Sequence, residues 1–518
     1  MLIRRHRRAL LATAVVVFLV VGLFCSRAFV SWGDEQAYLA FGYLALNGKV
    51  SLFQDEMTGQ RVPLPFYVLG VSQLIVGPNL WAARLLSLLL GLGVLGLTVS
   101  VARHLHDDVA GVLAGLLLAT QGALVGYYAT AMYHALTAVL LMAAVRLLIG
   151  EGERWRPAAA MAIASLLFLT RTNMIPAILF FLIWALWRAH TTWERLVVLG
   201  VAAAPPALFF LSDPGHLKLL AYFPVFHRLV EPLGYRSLFA LQSYEPSSLG
   251  NQLWGLAQFG RRYESWVVAL GGLGLAAALT LVQGRPLGRP ADRRATAVVS
   301  GLFVWILGWH FVIFRLNLKW AAAYFPTFAP LAAVLLAVAA ASLLGRVDFP
   351  RVARAVLGLA LLVSLTISVI FIRNPLLPLP LPVPFRGDPV QLIDRSAAHL
   401  RRLVPPDARV FLVGLSTPVY LAGLRTYVPQ MESTGTLAPI DLDPALAARN
   451  GLWGRLEVER WLGLEAEWAL ISPDVLRSLE SERPEQVRRI RELLHQRFTF
   501  VERVAEAPWS TYEVYRRR

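Results

Sequence analysis

Two adjacent carboxylates, Asp34 and Glu35, follow the first long apolar stretch of the chain, in the sequence Ser31-Trp-Gly-Asp-Glu-Gln-Ala-Tyr38. A carboxylate at the end of a membrane span can meet one reactant from water and another from lipid, and can act there as a general base. The same pair also suits the first turn of a helix, where acidic side chains complement the free backbone amides and the helix dipole. The two interpretations are compatible.

A basic residue precedes a rigid turn further along the same region, in the sequence Arg61-Val-Pro-Leu-Pro-Phe-Tyr67. The segment after the prolines is apolar and aromatic but too short to cross a bilayer, which is typical of a segment lying in the membrane interface. A guanidinium there can bind a lipid phosphate through charge-assisted hydrogen bonds. The alternative is an interfacial arginine that reaches the headgroups with its charge while its stem stays in lipid.

Two other titratable residues lie in apolar surroundings. Arg171 separates the apolar stretches 166–169 and 174–186, and a charge at membrane depth is a functional hypothesis by default; a helix boundary in a short re-entrant turn is the alternative. His134 follows Met132 and Tyr133 at the start of an apolar stretch. Its imidazole can carry a proton or bind a metal, although a hydrogen-bonded structural histidine explains it equally.

Composition points to a membrane protein. Of the 518 residues, 57% are hydrophobic and 16% are charged, against about 25% charged in soluble domains. The net charge of +16 comes from arginines clustered between apolar stretches, a placement that encodes topology, so we expect no nucleic acid partner. Cys25 is the only cysteine, which excludes an intramolecular disulfide and any cysteine-based metal motif.

The elements that position these residues are apolar stretches of about 20 residues, the length that crosses a bilayer as a helix. We predict about eleven crossings, beginning with an uncleaved N-terminal span, near residues 9–29, 80–102, 109–128, 131–149, 158–172, 174–188, 196–212, 266–283, 297–314, 321–344 and 355–373. With a cytoplasmic N-terminus, each inside loop is basic, as the positive-inside rule requires. Loops 31–79 and 213–265 then share the outer face with everything after about residue 374.

The C-terminal quarter has a different composition. The proline-rich stretch 374–384 is predicted to be an extended linker, because proline removes the backbone donor that a helix needs. Beyond it, residues 409–414, 467–472, 498–504 and 511–515 have the pattern of strands, and 485–496 that of an amphipathic helix. Strands that alternate with helices predict a small soluble α/β domain over 385–518.

Residues 8–345 resemble the GT-C superfamily of membrane glycosyltransferases, in particular the branch with protein O-mannosyltransferases and aminoarabinose lipid A transferases. The specific features are Asp34-Glu35 after the first span, Arg61 before Pro-x-Pro-x-Tyr67, and Ala82-Ala-Arg84 opening the next long span. Weaker ones are Tyr127-Tyr128, Thr170-Arg171 and Lys319 with Tyr324-Phe-Pro326. The resemblance implies a helical, polytopic transmembrane catalytic domain over 1–373.

In that family the aspartate of the first loop is the catalytic carboxylate. The resemblance therefore implies that Asp34, beside Glu35, deprotonates an acceptor hydroxyl, and that the sugar leaves a polyprenyl phosphate with inversion. It makes Arg61 the first candidate to bind the donor phosphate, with Arg84, Arg171 and Lys319 as further candidates. Tyr67, His134 and Tyr324 are accessory candidates.

One departure from the family bears on metal and acceptor. The family commonly has a second acidic residue near the start of the span after the tyrosine pair, where this chain has Met132-Tyr-His134. We predict no metal site and no required cofactor, a divalent metal being the alternative. The expected partners are a polyprenyl-phosphate-linked sugar, the bilayer, and a glycan, lipid or protein acceptor.

We expect a multi-pass protein of the inner (plasma) membrane that acts on the extracytoplasmic face. The alternative function is a transporter or flippase for a lipid-linked glycan. Transporters commonly carry inverted repeats with helix breaks at matched positions, and the sequence shows no such internal symmetry.

Overall fold

The computed structural model describes residues 6–31, 34–50, 62–150, 152–212, 216, 217, 220, 229, 232, 248–283, 292–313, 324–344, 350–370, 388–432, 437, 438, 443–449, 452–507 and 510–518. Arg61, Lys319 and the predicted linker 374–384 lie outside the described residues. Internal contacts divide the chain into two units. The first unit comprises 1–26, 87–209 and 243–382, and the second comprises 27–86, 210–242 and 383–518.

The described residues before the linker are almost all helical. The helices are α1 (Arg7–Ala28), α2 (Asp34–Leu46), α3 (Leu64–Val76), α4 (Leu80–Leu105), α5 (Asp108–Ala119), α6 (Gly122–Tyr128), α7 (Tyr133–Ile149), α8 (Arg156–Ser165), α9 (Ile175–Arg188), α10 (Thr192–Ser212), α11 (Leu249–Arg262), α12 (Glu264–Val282), α13 (Arg293–Ile313), α14 (Ala329–Leu344) and α15 (Arg351–Ile370). Short 3₁₀ turns cover Leu166–Leu169, Thr172–Met174 and Phe325–Thr327.

Every predicted span contains a helix, yet the count of eleven crossings is not confirmed. Within the described residues, four helices are long and apolar enough to cross a membrane, namely α1, α4, α10 and α12. A fifth span results if α5 and α6 are counted together, although they are bent by 76° at Thr120 and Gln121. Several other predicted spans form apolar helices of 10–17 residues, shorter than the roughly 20 needed for a straight crossing. The chain is a multi-pass membrane protein.

The C-terminal segment forms helices around one mixed sheet. Its elements are α16 (Pro389–Leu403), β1 (Arg409–Val413), α17 (Ser416–Leu421), β2 (Arg425–Thr426), α18 (Val428–Glu432), α19 (Pro444–Arg449), α20 (Arg455–Arg460), β3 (Trp468–Ile471), α21 (Pro473–Glu480), α22 (Pro484–Arg497), β4 (Phe498–Ala507) and β5 (Ser510–Arg517). The strand order is β2-β1-β3-β5-β4, with β1 parallel to β2 and β3, and β5 antiparallel to β3 and β4.

Apolar strands and aromatic rings build the core of this sheet. Strands β1 and β3 are short apolar runs whose side chains are mostly buried, which fits strands in the interior of a sheet. Phe411 and Trp453 pack at right angles with ring centroids 5.7 Å apart, and Val487 and Ile490 of α22 cover the same core. The predicted strands are present in one small mixed sheet, and the separate soluble domain stays a prediction.

Helices α2 and α3 cross closely in the second unit. Gly42 of α2 faces Gly70 of α3, and a Cβ atom added at Gly42 would overlap the backbone of Phe66 and Gly70. Glycine at such a crossing lets two backbones approach, as small residues do between membrane helices. The grouping of 27–86 with 383–518 differs from the predicted division at residue 373, and that domain boundary remains a prediction.

Candidate active site

Asp34 is the first residue of α2, and Glu35 is the second. The side chain of Asp34 is partly exposed, whereas Glu35 is completely buried. Both carboxylates therefore occupy the first helical turn, where negative charge interacts favourably with the helix dipole. Of the two residues, only Asp34 is partly exposed, as a residue that reacts with an incoming acceptor must be.

Glu35 is clamped by Arg84 at the start of α4. The Arg84 Nε and Nη2 atoms donate to the two Glu35 oxygens at 2.8 and 2.7 Å, and both side chains are 0% exposed. Arg84 Nη1 also donates to the Phe29 carbonyl oxygen at 2.8 Å. This bidentate pairing is the strong form of a charge-assisted hydrogen bond. It favours a positioning role for both residues, and their predicted roles in catalysis and phosphate binding remain untested predictions.

A threonine of the C-terminal segment holds the same turn of α2. The Thr417 hydroxyl of α17 donates to Gln36 Oε1 at 3.1 Å and lies 3.2 Å from the Ser31 hydroxyl. All three side chains are buried, so these hydrogen bonds are costly to break. One helical turn later, the Tyr420 hydroxyl donates to Gln73 of α3 at 3.3 Å. The segment that carries Asp34 is thus fixed by residues almost 400 positions away, which sequence reasoning missed.

The aromatic residues of the first loop are divided between core and surface. Tyr38 of α2 is buried against Phe66 of α3, with ring centroids 4.8 Å apart. Tyr67, the accessory candidate beside Phe66, is 40% exposed. Tyr67 therefore lies on the outer face of α3, and its proposed role remains a prediction.

A second group of candidate residues gathers in the first unit around Arg171. Its guanidinium carbon lies 4.0 Å from the ring centroid of Tyr133 and 4.8 Å from that of Tyr324. Cations over aromatic faces gain about 0.5–2 kcal/mol, more when water is excluded. The structure thus brings together Arg171 and Tyr324, which the sequence proposed separately, and adds Tyr133, which it did not.

His134 lies beside this group. Its ring centroid is 4.1 Å from that of Tyr133 and 4.7 Å from that of Tyr127. The side chain is 1% exposed, and Nδ1 has no hydrogen-bond partner among the described residues. Among the described residues, His134 is therefore held by ring packing, whereas the structural interpretation of the sequence expected hydrogen bonds.

His310 was not singled out from the sequence. Its Nε2 lies 2.8 Å from Asn173 Nδ2 and its Nδ1 lies 2.8 Å from the Ile306 carbonyl oxygen. The side chain is completely buried, and its ring centroid is 6.3 Å from that of Tyr324. Its position inside the predicted span 297–314 was the feature of the sequence that could have identified it.

The first unit also contains an apolar crevice of about 420 Å³. It lies among helices α11, α12, α13 and α14, and aromatic rings form one end of it. Tyr263 and Phe325 have ring centroids 4.8 Å apart, and Phe259 is 5.0 Å from each of them. The lining residues are Leu256, Phe259, Tyr263, Trp266, Val267, Leu270, Leu273, Phe303, Leu307, Phe325, Ala332, Leu335 and Leu336.

Metal-ligating side chains do not cluster in the part of the chain that the structure describes. In those ranges, no group of three or more His, Cys, Asp and Glu residues could hold a metal ion. The His134 ring packs against the rings of Tyr127 and Tyr133. The absence of a metal site therefore stays a prediction, and no metal enters the proposal below.

Solved membrane-protein structures share this fold. ArnT from Cupriavidus metallidurans bound to undecaprenyl phosphate aligns over 98% of this chain and 97% of its own, with a TM-score of 0.56 and 15% identity. The same protein in the apo state aligns over 97% of both chains, with a TM-score of 0.56 and 14% identity. The arabinofuranosyltransferase AftD from Mycobacteria aligns over 98% of this chain but 40% of its own, with a TM-score of 0.53 and 18% identity.

No protein-family model and no curated protein sequence matches the chain. ArnT, an aminoarabinose lipid A transferase, and AftD are members of the GT-C superfamily. The chain therefore has the GT-C fold, and the predicted resemblance is confirmed at that level.

Proposed function

We propose that this GT-C-fold protein is a membrane glycosyltransferase that moves a sugar from a polyprenyl-phosphate donor to an acceptor on the extracytoplasmic face. The observation that carries the proposal is the position of Asp34. It is a partly exposed carboxylate at the start of α2, and its turn is fixed by the Glu35–Arg84 pair and by Thr417. Such support from neighbouring residues is what holds a catalytic group in place.

The proposed reaction is a single displacement. Asp34 accepts the proton of an acceptor hydroxyl while the hydroxyl oxygen attacks the anomeric carbon of the donor sugar. The bond between that carbon and the phosphate oxygen breaks, and its electron pair leaves with the polyprenyl phosphate. The configuration at the anomeric carbon is inverted because attack and departure occur on opposite faces. A positioned base typically contributes about 10²–10⁴-fold in rate.

Two features of the first unit support a lipid-phosphate donor. The apolar crevice of about 420 Å³ is lined throughout by apolar and aromatic residues, a surface that suits an isoprenoid chain. Arg171, whose guanidinium carbon lies 4.0 and 4.8 Å from the ring centroids of Tyr133 and Tyr324, is a cationic candidate for the donor phosphate. The leaving group is an anion, so a positive charge nearby stabilises it. That charge lowers the barrier most when its side chain is already in position and does not have to move during the reaction. The crystallised ArnT, a protein of the same fold, holds undecaprenyl phosphate.

The test uses purified full-length protein, a panel of polyprenyl-phosphate sugars and a set of glycan, lipid and peptide acceptors, with release of the lipid phosphate as the readout. We expect turnover with at least one donor and a loss of about 100-fold or more in Asp34→Asn, since a general base is removed.

The matched control is Asp388→Asn, at another helix start in the second unit. Asp388 caps α16 by accepting from the Val390 and Gln391 amides at 3.0 and 3.3 Å. Asparagine caps a helix equally well, so this variant keeps its turnover. Absence of turnover with every donor, together with donor-dependent lipid translocation in liposomes, would instead favour the transporter alternative.

A further inference from the structure

A wide groove opens in the second unit between the first loop and the C-terminal sheet. Its volume is about 1090 Å³, at the upper end of the range for small-molecule sites. The end of α2 and the residues after it form one wall, with Tyr43 and Lys49. The other wall consists of the start of β1 with the residues before it, β2 with the residues on both sides of it, and the end of α20. Nothing in the proposed reaction uses this groove.

Basic side chains outnumber acidic ones in its lining. Four cationic residues, Lys49, Arg409, Arg425 and Arg460, line the groove together with two carboxylates, Asp407 and Glu465. Glu465 is already paired, since it lies 3.2 Å from Arg460 and 3.9 Å from Arg409. Lys49 and Arg425 are exposed and have no ion pair among the described residues. Among the described lining residues, positive charge therefore exceeds negative charge.

An aromatic pair forms the groove floor. Tyr427 is stacked on Trp461 with ring centroids 4.5 Å apart and an interplanar angle of 12°. The Tyr427 hydroxyl donates to Glu465 at 3.4 Å, and burial, together with the nearby Glu465 charge, raises the Tyr427 pKa to about 12. Tyr427 therefore stays protonated at neutral pH. Its ring gives the groove an apolar surface against which the C–H face of a sugar ring can lie.

The groove is connected to Asp34 through two helices. Tyr43 lies nine residues after Asp34 on α2, which corresponds to about 13 Å along a helix with a rise of 1.5 Å per residue. Tyr420 lines the groove on α17, three residues after Thr417, which holds Gln36. A ligand that fills the groove and also reaches Asp34 must be longer than one sugar.

We infer that the groove binds a non-reacting part of the acceptor, and that the acceptor is an anionic oligosaccharide with carboxylate or phosphate groups. This inference rests on the proposed glycosyl transfer, because it assigns the ligand as the acceptor of that reaction. Binding itself, however, can be measured without donor and without turnover.

The experiment measures the Kd of full-length protein for three tetrasaccharides without any donor: tetragalacturonate, mannotetraose bearing a phosphate, and neutral mannotetraose. We expect at least one anionic probe to bind about tenfold or more tightly than the neutral one, a difference of about 1.4 kcal/mol. The probe that binds better distinguishes a carboxylate-bearing acceptor from a phosphate-bearing one.

Three variants locate the site. Arg425→Gln and Arg460→Gln should each weaken anionic binding about tenfold, while Arg425→Lys, which keeps the charge, should retain most of it. The control Arg488→Gln removes an arginine that is 72% exposed on α22 and lines none of the groove, and its Kd should not change. The melting temperature of each variant is measured first, and Kd values are compared only among variants that unfold at the wild-type temperature.

Equal binding of neutral and anionic probes, no binding of any probe, or an equal loss in Arg488→Gln would overturn the inference. A failure of the proposed function looks different. In that case anionic binding persists in the groove, but neither wild type nor any variant releases a lipid phosphate from the donors.

Discussion

The guanidinium of Arg84 and the carboxylate of Glu35 form a two-point salt bridge in which both side chains are 0% exposed. The bridge ties the start of α4 to the start of α2, one residue from Asp34. A buried ion pair contributes little net stability compared with apolar residues, but the removal of one partner is costly. The main effect of this bridge is to fix the position of the neighbouring residue Asp34.

Glu35→Gln should destabilise the protein, because it leaves the Arg84 charge buried without its counterion. We expect a loss of about 3–5 kcal/mol in the free energy of unfolding, measured as a lower melting temperature in detergent. The double variant Glu35→Gln, Arg84→Gln should recover part of that loss. Wild-type stability with abolished turnover in Glu35→Gln would show instead that Glu35 takes part in the chemistry.

Thr417→Val tests the contact between α17 and the turn that carries Asp34. Valine keeps the shape but removes the hydroxyl that donates to Gln36, leaving buried polar groups unsatisfied at about 1–3 kcal/mol. We expect kcat to fall several-fold, with a smaller change in the donor KM, because the base is displaced rather than removed. Thr499→Val, at an exposed position of β4, is the control. Equal kcat in the two variants would rule out a positioning role for Thr417.

Gly42→Ala should separate α2 from α3. The added methyl group would overlap backbone atoms of Phe66 and Gly70, which cannot move aside as a flexible side chain can. We expect a lower melting temperature and reduced turnover. Gly274→Ala on α12 is the matched control, because its methyl group would meet open space and alanine favours a helix by about 1 kcal/mol. A Gly42→Ala protein as stable and active as wild type would contradict the close crossing.

Arg171→Lys tests whether the guanidinium beside the two tyrosine rings binds the donor phosphate. Lysine keeps the charge but loses the planar group that contacts Tyr133 and Tyr324, and the two residues are not equivalent beside aromatic rings. We expect the donor KM to rise about tenfold, with a larger rise in Arg171→Gln. Arg146→Lys, at a partly buried arginine that donates to Ser100, is the control. An unchanged donor KM in both Arg171 variants would remove this assignment.

Local pattern was sufficient to locate most elements. The apolar stretches predicted helices where the structure has them, and the runs at 409–414 and 467–472 predicted β1 and β3, because these features depend on neighbouring residues alone. Strand β2 has two residues, too few for any alternating pattern. The bend between α5 and α6 at Thr120 and Gln121 was missed because the rest of 109–128 is almost entirely apolar, and the hydropathy of a stretch does not show where the chain changes direction.

The environment of the candidate residues depended on contacts distant in sequence. Asp34 and Arg171 were singled out from their surroundings in the chain. Thr417 and Gln36 are 381 residues apart. The two rings that contact Arg171 belong to Tyr133 and Tyr324, which lie in two other segments of the chain. A single sequence contains no signal for such pairings, so the supporting residues became visible only in three dimensions.

The rate of polyprenyl phosphate release by Asp34→Asn, compared with wild type and Asp388→Asn under the same donor and acceptor, tests the catalytic role of Asp34 most directly. We predict a fall of about 100-fold or more in Asp34→Asn, an unchanged melting temperature, and wild-type turnover in Asp388→Asn. Turnover of Asp34→Asn equal to that of wild type would contradict the central claim that Asp34 is the catalytic base.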